Sequence, residues 1–209
     1  GGKASPPGWF VPGPVLPAPA VRARRYDPEQ WQHAFGLSTL PVPVPQEERD
    51  SWRLHEWWFG TPPVATKTQA IIYPTIAQLM LGIHLAGPEL TPETFQAAMF
   101  SAPAAGGGPT APHVSYGDDA GFENPDFLGT DDMAEIWWDP DTTAPDEQGV
   151  EQTGVYRWVD GGRRYMPGEM PKEPSKAFEE EGSVYLLTEV PESDQYPAYD
   201  PPPSAPSQE

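Results

Sequence analysis

The chain contains no cysteine. That removes disulfides, thiolate metal sites and a thiol nucleophile together. Positive charge is scarce as well: 12 Lys and Arg stand against 31 Asp and Glu, for a net charge of −19. A field of that sign repels phosphate backbones and argues against nucleic-acid binding. No stretch approaches the ~20 apolar residues of a transmembrane helix. The longest apolar run, from Ile76 to Ala86, is interrupted by Gln78 and His84. Signature motifs are missing too: there is no P-loop, dinucleotide fingerprint or Gly-x-Ser-x-Gly elbow. Gly106-Gly107-Gly108 runs into Pro109 instead of a helix start, so its amides are not set out as a phosphate cradle.

Present in excess are 30 Pro and 20 Gly among 209 residues, together with 8 Trp, 8 Tyr and 8 Phe. Pro and Gly at that level favour irregular chain, whereas that many aromatics favour a packed body. The expectation is a folded middle with irregular ends. Charge divides the chain in the same way. Residues 1–117 carry 7 basic and 8 acidic side chains, whereas residues 118–209 carry 5 and 23. A field of this kind suits solubility at a cell exterior or recruitment of a basic partner. Gly1-Gly2-Lys3 opens without a signal-peptide pattern. The expectation is a start removed by processing, or a piece of something longer.

Local signals give an order of elements. Residues 1–25 are Pro-rich and read as an edge or crossover segment. Asp27-Pro28-Glu29 is a helix start, with Asp as N-cap and Pro at the first position, and Gly36 is read as the stop. A second helix is expected from about Gln46 to Phe59, stopped by Gly60. A third should begin near Tyr73-Pro74, with Ile76, Leu79, Met80, Ile83 and Leu85 at the spacing of a buried face. Thr91-Pro92-Glu93 starts a fourth. Beyond the Gly-rich loop the period changes to that of strands. One is expected at Met133–Trp138 and another at Val184–Val190. A β-hairpin is expected from Gly154–Val159 and Arg163–Met166 about Asp160-Gly161-Gly162. Residues 171–209 read as an acidic, Pro-rich, mostly disordered tail.

Chemistry-bearing constellations are thin. His33, His55, His84 and His113 are scattered and lack the i, i+4 spacing of a zinc hydrolase, so each reads as a satisfied histidine, and no metal or cofactor is expected. Asp139-Pro140-Asp141 with Asp146-Glu147 misses the glycine and the terminal glutamate of a calcium loop and reads as a solvated turn. Trp57-Trp58 and Trp137-Trp138 could stack on sugars. Neighbouring side chains point about 100° apart on a helix and to opposite faces on a strand, so neither pair makes one flat platform. No enzymatic activity is expected.

The order of several segments resembles one family. These are Tyr26-Asp27-Pro28-Glu29-Gln30-Trp31, then Trp52 to Phe59 before Gly60, then Tyr73-Pro74 opening a helix that ends Leu85-Ala86-Gly87-Pro88-Glu89-Leu90-Thr91-Pro92-Glu93-Thr94-Phe95. They are similar to the type 1 periplasmic-binding-protein family, specifically actinobacterial relatives of the branched-chain amino-acid importer's binding protein. Gly129 to Asp139 and the Tyr156 to Tyr165 segment resemble that family's final strands. The similarity covers roughly residues 5–170 and rests on order, not on one diagnostic motif.

The resemblance implies an α/β fold, the C-terminal part of a two-lobed binding protein. Residues 1–25 would be a lobe-2 edge and crossover, and residues 26–117 a helical segment packing on lobe 1. Residues 118–170 would be strands and a hairpin returning across the hinge, and 171–209 the tail. It further implies an extracytoplasmic component of an ABC importer, located outside the cell, at its surface or in the periplasm. Such a component binds an amino acid or similar small polar solute by hinge closure and docks on a membrane permease. Tyr73 would face the cleft as a ligand-side residue. The family's N-terminal half, with most of lobe 1's sheet, has no counterpart here. The alternative is a secreted acidic module with a Trp-rich surface for glycan or protein. The Ile76–Leu85 stripe tests the first reading: it should lack a sheet of this chain beneath it.

Overall fold

The computed structural model describes residues 9–11, 20, 23–64, 66–118, 123–145, 150–195 and 197. Most of residues 1–25, Asp146 and Glu147 of the acidic turn, and the tail beyond 197 lie outside them. The fold is mixed α and β with an open, largely antiparallel sheet. Its strands are β1 (Trp9–Val11), β2 (Ala34–Ser38), β3 (Met133–Pro145), β4 (Glu151–Trp158) and β5 (Arg164–Tyr165). β1 and β2 are parallel, β2 and β3 antiparallel, and β4 and β5 both pair antiparallel with β3. The helices are α1 (Pro28–Trp31), α2 (Asp50–Phe59), α3 (Thr66–Ala86) and α4 (Pro92–Phe100).

Capping chemistry decides where the helices start. Asp27 Oδ1 accepts from Glu29 N at 2.9 Å, and Pro28 follows it, as the sequence predicts. α1 is a single turn, however. The residues expected to prolong it form β2, where Ala34, Gly36 and Ser38 are buried and Phe35 and Leu37 are half-buried. Alternating burial is the mark of a strand, so Gly36 lies inside β2 and stops no helix. At α4, Thr91 and Thr94 cap one another reciprocally ahead of Pro92. α2 begins after a short 3₁₀ turn at Gln46–Glu48 and ends on Gly60 at φ 66°, a left-handed conformation that glycine adopts freely. α3 begins seven residues before Tyr73, and Pro74 lies inside it. The Tyr-Pro pair is therefore not a helix start: Pro74 forfeits one backbone bond within a helix long enough to absorb the loss.

The expected hairpin is also rearranged. β4 reaches Trp158 opposite Ile136, the chain leaves through Val159–Gly162, and β5 resumes opposite Ala134 on the same side of β3. Asp160-Gly161-Gly162 thus makes an excursion from one strand lane instead of reversing the chain. Gly162 sits at φ 86°, and a Cβ there would lie 2.2 Å from Val42 Cγ2. The hairpin of the fold is β3–β4, paired as far as Pro145 opposite Glu151. The strand expected at Val184–Val190 contracts to a single bridge between Val184 and Trp158. Residues 171–195 run along the body as a strap of turns. They are held by paired bonds between Trp158 and Val184, Leu187 N to Pro43 O at 3.0 Å, and Asp194 Oδ2 accepting from Thr110 N and Oγ1.

One face of the sheet carries the core. Ala34, Ala134, Ile136, Trp138, Tyr156 and Trp158 pack there with Val42, and Trp31, Val184 and Leu187 close over them. Arg164 is buried below it. Its Nε donates to Asp132 Oδ1 at 2.9 Å, and its Nη atoms serve the Leu40 and Thr39 carbonyls. The chain between β2 and β3 leaves and re-enters through a neck where Val42 N donates to Pro109 O at 2.8 Å.

Candidate functional site

Beyond the neck, α2, α3 and α4 form a second layer. α3 packs on α4 across Gly82, where an added Cβ would lie 2.3 Å from Phe95 Cε2, so the helices approach too closely for any side chain. α2 meets the first turns of α3 through Gln69 Nε2 donating to Ser51 O at 2.6 Å and Tyr73 Oη donating to Asp50 Oδ2. Neither α3 nor α4 is laid extensively on the sheet.

The consequence is an uncovered apolar face. Ile72, Ile76, Leu79 and Met80 fall on one stripe of α3, and each is about half exposed or more, with Met80 at 57%. Leu90, Phe127 and Leu128 extend the exposed apolar surface, Leu128 at 87%. α3 contains no acidic side chain at all, in a chain of net charge −19. Fully burying a residue of this kind contributes about 1.5–3 kcal/mol, so each half-exposed one leaves roughly half of that unrealised.

Within this face lies a cavity of about 430 Å³ between α3 and α4, walled by Ile76, Leu79, Phe95, Met99, Phe100 and Phe127. Gln78 and Tyr116 supply its polar edge, with Gln78 Nε2 donating to the Tyr116 hydroxyl. Burial pushes the Tyr116 phenol up, as do Asp126 and Asp131, against the opposing bond from Gln78. No Asp, Glu, Lys or Arg lines the cavity. The Gln78–Tyr116 contact spans 38 residues of chain, so no local sequence signal announced it.

The residues singled out in the sequence are dispersed. Tyr73 is half-buried and engaged with Asp50 on α2. His55 Nδ1 lies 3.0 Å from Thr61 O, and His84 is exposed on α3. His113 Nδ1 lies 2.8 Å from Asp131 Oδ2, and Ser115 Oγ donates to that same oxygen at 2.8 Å. The three residue types are those of a nucleophilic triad, but the serine bonds the carboxylate and not the imidazole. No base is therefore placed to take its proton. Asp139 is buried, not solvated. It accepts from the amides of Asp141 and Thr142, from Thr142 Oγ1 at 2.7 Å and from Arg157 Nε at 2.5 Å. It thus pins the irregularity in the β3–β4 ladder.

Trp137 and Trp138 are both buried and take opposite faces of the sheet, whereas Trp57 and Trp58 are tilted by 50° with Trp58 exposed. Among the described residues no cluster of three or more His, Asp or Glu side chains is arranged to hold a metal ion, and no helix is long and apolar enough to cross a membrane. Comparison of the chain with protein-family models, curated proteins and solved structures finds no match.

Proposed function

We propose that this chain is the C-terminal part of an extracytoplasmic solute-binding component of an ABC importer, closing by a hinge on an amino acid or similar small polar solute. One observation supports the reading: the apolar stripe Ile72–Ile76–Leu79–Met80 is about half exposed, and among the described residues no strand packs extensively beneath it. In α/β layers an apolar helix face is buried against a sheet. The reading supplies that sheet from lobe 1. Docking on a permease leaves the energy of transport to a partner ATPase, so the component itself needs no catalytic constellation. Tyr73, spoken for by Asp50, would stiffen the α2–α3 contact near the hinge unless ligand closure releases it.

The test is thermal unfolding of the two-lobed protein against a panel of amino acids and small polar solutes. A ligand at 100 times its Kd adds about 2.7 kcal/mol and raises the midpoint. A panel in which no solute moves the midpoint removes the assignment. A second reading, an acidic module with an aromatic surface for glycan, is favoured by exposed Trp58 and Phe59, with His55 stacked on Phe59 at 4.6 Å. Retardation on a glycan affinity gel that Trp58→Ala abolishes would favour it over the first.

A further inference from the structure

The sheet face turned away from the core carries a row of three side chains in register: Phe35 on β2, Trp137 on β3 and Arg157 on β4. Phe178, from the strap, lies over the row. Its ring centroid is 5.9 Å from that of Phe35 and 5.7 Å from that of Trp137. The Arg157 guanidinium sits 5.9 Å from the Trp137 centroid and 5.5 Å from that of Tyr185.

Several features fit a removable cover better than a permanent core contact. Phe178 has φ 71°, a left-handed conformation that a bulky residue adopts only under strain. Its side chain remains 46% exposed despite the stacking. Trp137, by contrast, is only 5% exposed, and its Nε1 has no hydrogen-bond partner among the described residues. A buried donor left without an oxygen or nitrogen acceptor is costly, and a phenyl ring offers it at most a weak π face. Gly168 and Gly182 bracket the segment at φ 85° and 76°, and neither has an atom within 4 Å of an added Cβ. Between them, Ser175 bonds the Glu135 carboxylate and Lys176 pairs with Asp160 at 2.8 Å on the exposed surface. An ion pair so placed holds a loop weakly.

We propose that residues 168–182 form a displaceable cover, and that the slot beneath Phe178, walled by Phe35 and Trp137, binds a small neutral aromatic ring carrying a hydrogen-bond acceptor, a simple phenol being the type. The ring takes the place of the Phe178 phenyl against Phe35 and Trp137. Its oxygen accepts from Trp137 Nε1, which Phe178 leaves unserved. Neutrality follows from the local charges. Arg157, the cation next along the row, is already matched by Asp139 at 2.5 Å and has no spare charge for an anion.

The test uses p-cresol as the probe and toluene as its acceptor-free counterpart. Phe178→Gly empties the slot and suits the positive φ. By isothermal titration it is expected to bind p-cresol roughly tenfold more tightly than the wild type, and toluene roughly tenfold more weakly than p-cresol. Trp137→Phe in the same background should erase the difference between the two probes. Equal binding of p-cresol and toluene, or no gain from Phe178→Gly, overturns the proposal. Should near-ultraviolet circular dichroism show that Phe178→Gly does not fold, the wild type decides. Saturating p-cresol must then move the Trp137 indole resonance and speed amide exchange across residues 168–182, and an unmoved resonance overturns the proposal. These residues belong to the sheet and the strap and not to α3, so the outcome is independent of the importer reading.

Discussion

The sheet and the helical layer are built from similarly apolar sequence and end in opposite states. Along β3, Ala134, Ile136, Trp137 and Trp138 are all buried, because this chain supplies a layer for each face: the core cluster on one and the strap with Phe178 and Tyr185 on the other. Along α3 a comparable density of Ile, Leu and Met leaves half-exposed side chains, because α2 and α4 cover only part of its circumference. What differs is the supply of partners, not the composition. Hydrophobic patterning states how much surface must be covered and is silent about where the cover is encoded.

The contrast can be broken most forcefully in the sheet. Trp138→Ala removes one of the two tryptophans of the core cluster and is expected to lower the unfolding free energy by about 3–5 kcal/mol in urea titration. Arg164→Met, which leaves Asp132 buried and uncompensated, should lower it by a similar ~3–5 kcal/mol, and Asp132→Leu in the same chain should recover most of the loss. A double variant no better than the single would show that the Thr39 and Leu40 carbonyls, rather than the ion pair, need Arg164.

Asp139 sharpens the comparison through pH. Burial pushes its carboxyl up, but the bonds from Thr142, Arg157 and the Asp141 and Thr142 amides outweigh burial and hold it below its ordinary value of 3.8. A depressed carboxylate stabilises the fold above its unfolded pKa, and that stability is lost as pH falls through the folded pKa. Asp139→Asn is therefore expected to cost about 1.5–3 kcal/mol near neutral pH, and the gap from wild type should narrow on acidification below about pH 4. A gap independent of pH would mean that the side chain acts by shape alone. The smallest effect belongs to the helical layer. Met80→Lys should change the unfolding free energy by no more than about 0.5 kcal/mol while reducing light scattering of concentrated solutions. A loss of several kcal/mol would show the stripe to be covered within this chain.

Local chemistry was legible where a few adjacent residues suffice. Asp27-Pro28, Thr91-Pro92 and Gly60 mark helix ends by their own side chains or backbone freedom, and the structure uses all three. Features that depend on distant partners were not legible. β2 is a strand because Phe35 finds Trp137 about a hundred residues later, and nothing in Ala34–Ser38 alone says so. Asp160-Gly161-Gly162 carries the local signature of a reversal, yet the lane that β5 joins is set by β3. The candidate site fared likewise. The stripe on α3 was visible as a period, whereas the cavity, the Gln78–Tyr116 edge and the Phe178 cover all bring together residues with no shared local signal.

The neck at Val42 and Pro109 has an architectural consequence. The two ends of the α2–α4 segment meet at the Val42–Pro109 hydrogen bond beside Gly162, and Tyr116 and Phe127 touch the segment again from beyond it. A segment pinned at its base in this way is an insertion in the topological sense, and the entropy of closing it grows only slowly with its length. Replacing residues 46–105 by a short Gly-Ser tether should therefore leave the β2–β3 register intact, so the sheet could serve as a graft host for unrelated helical inserts.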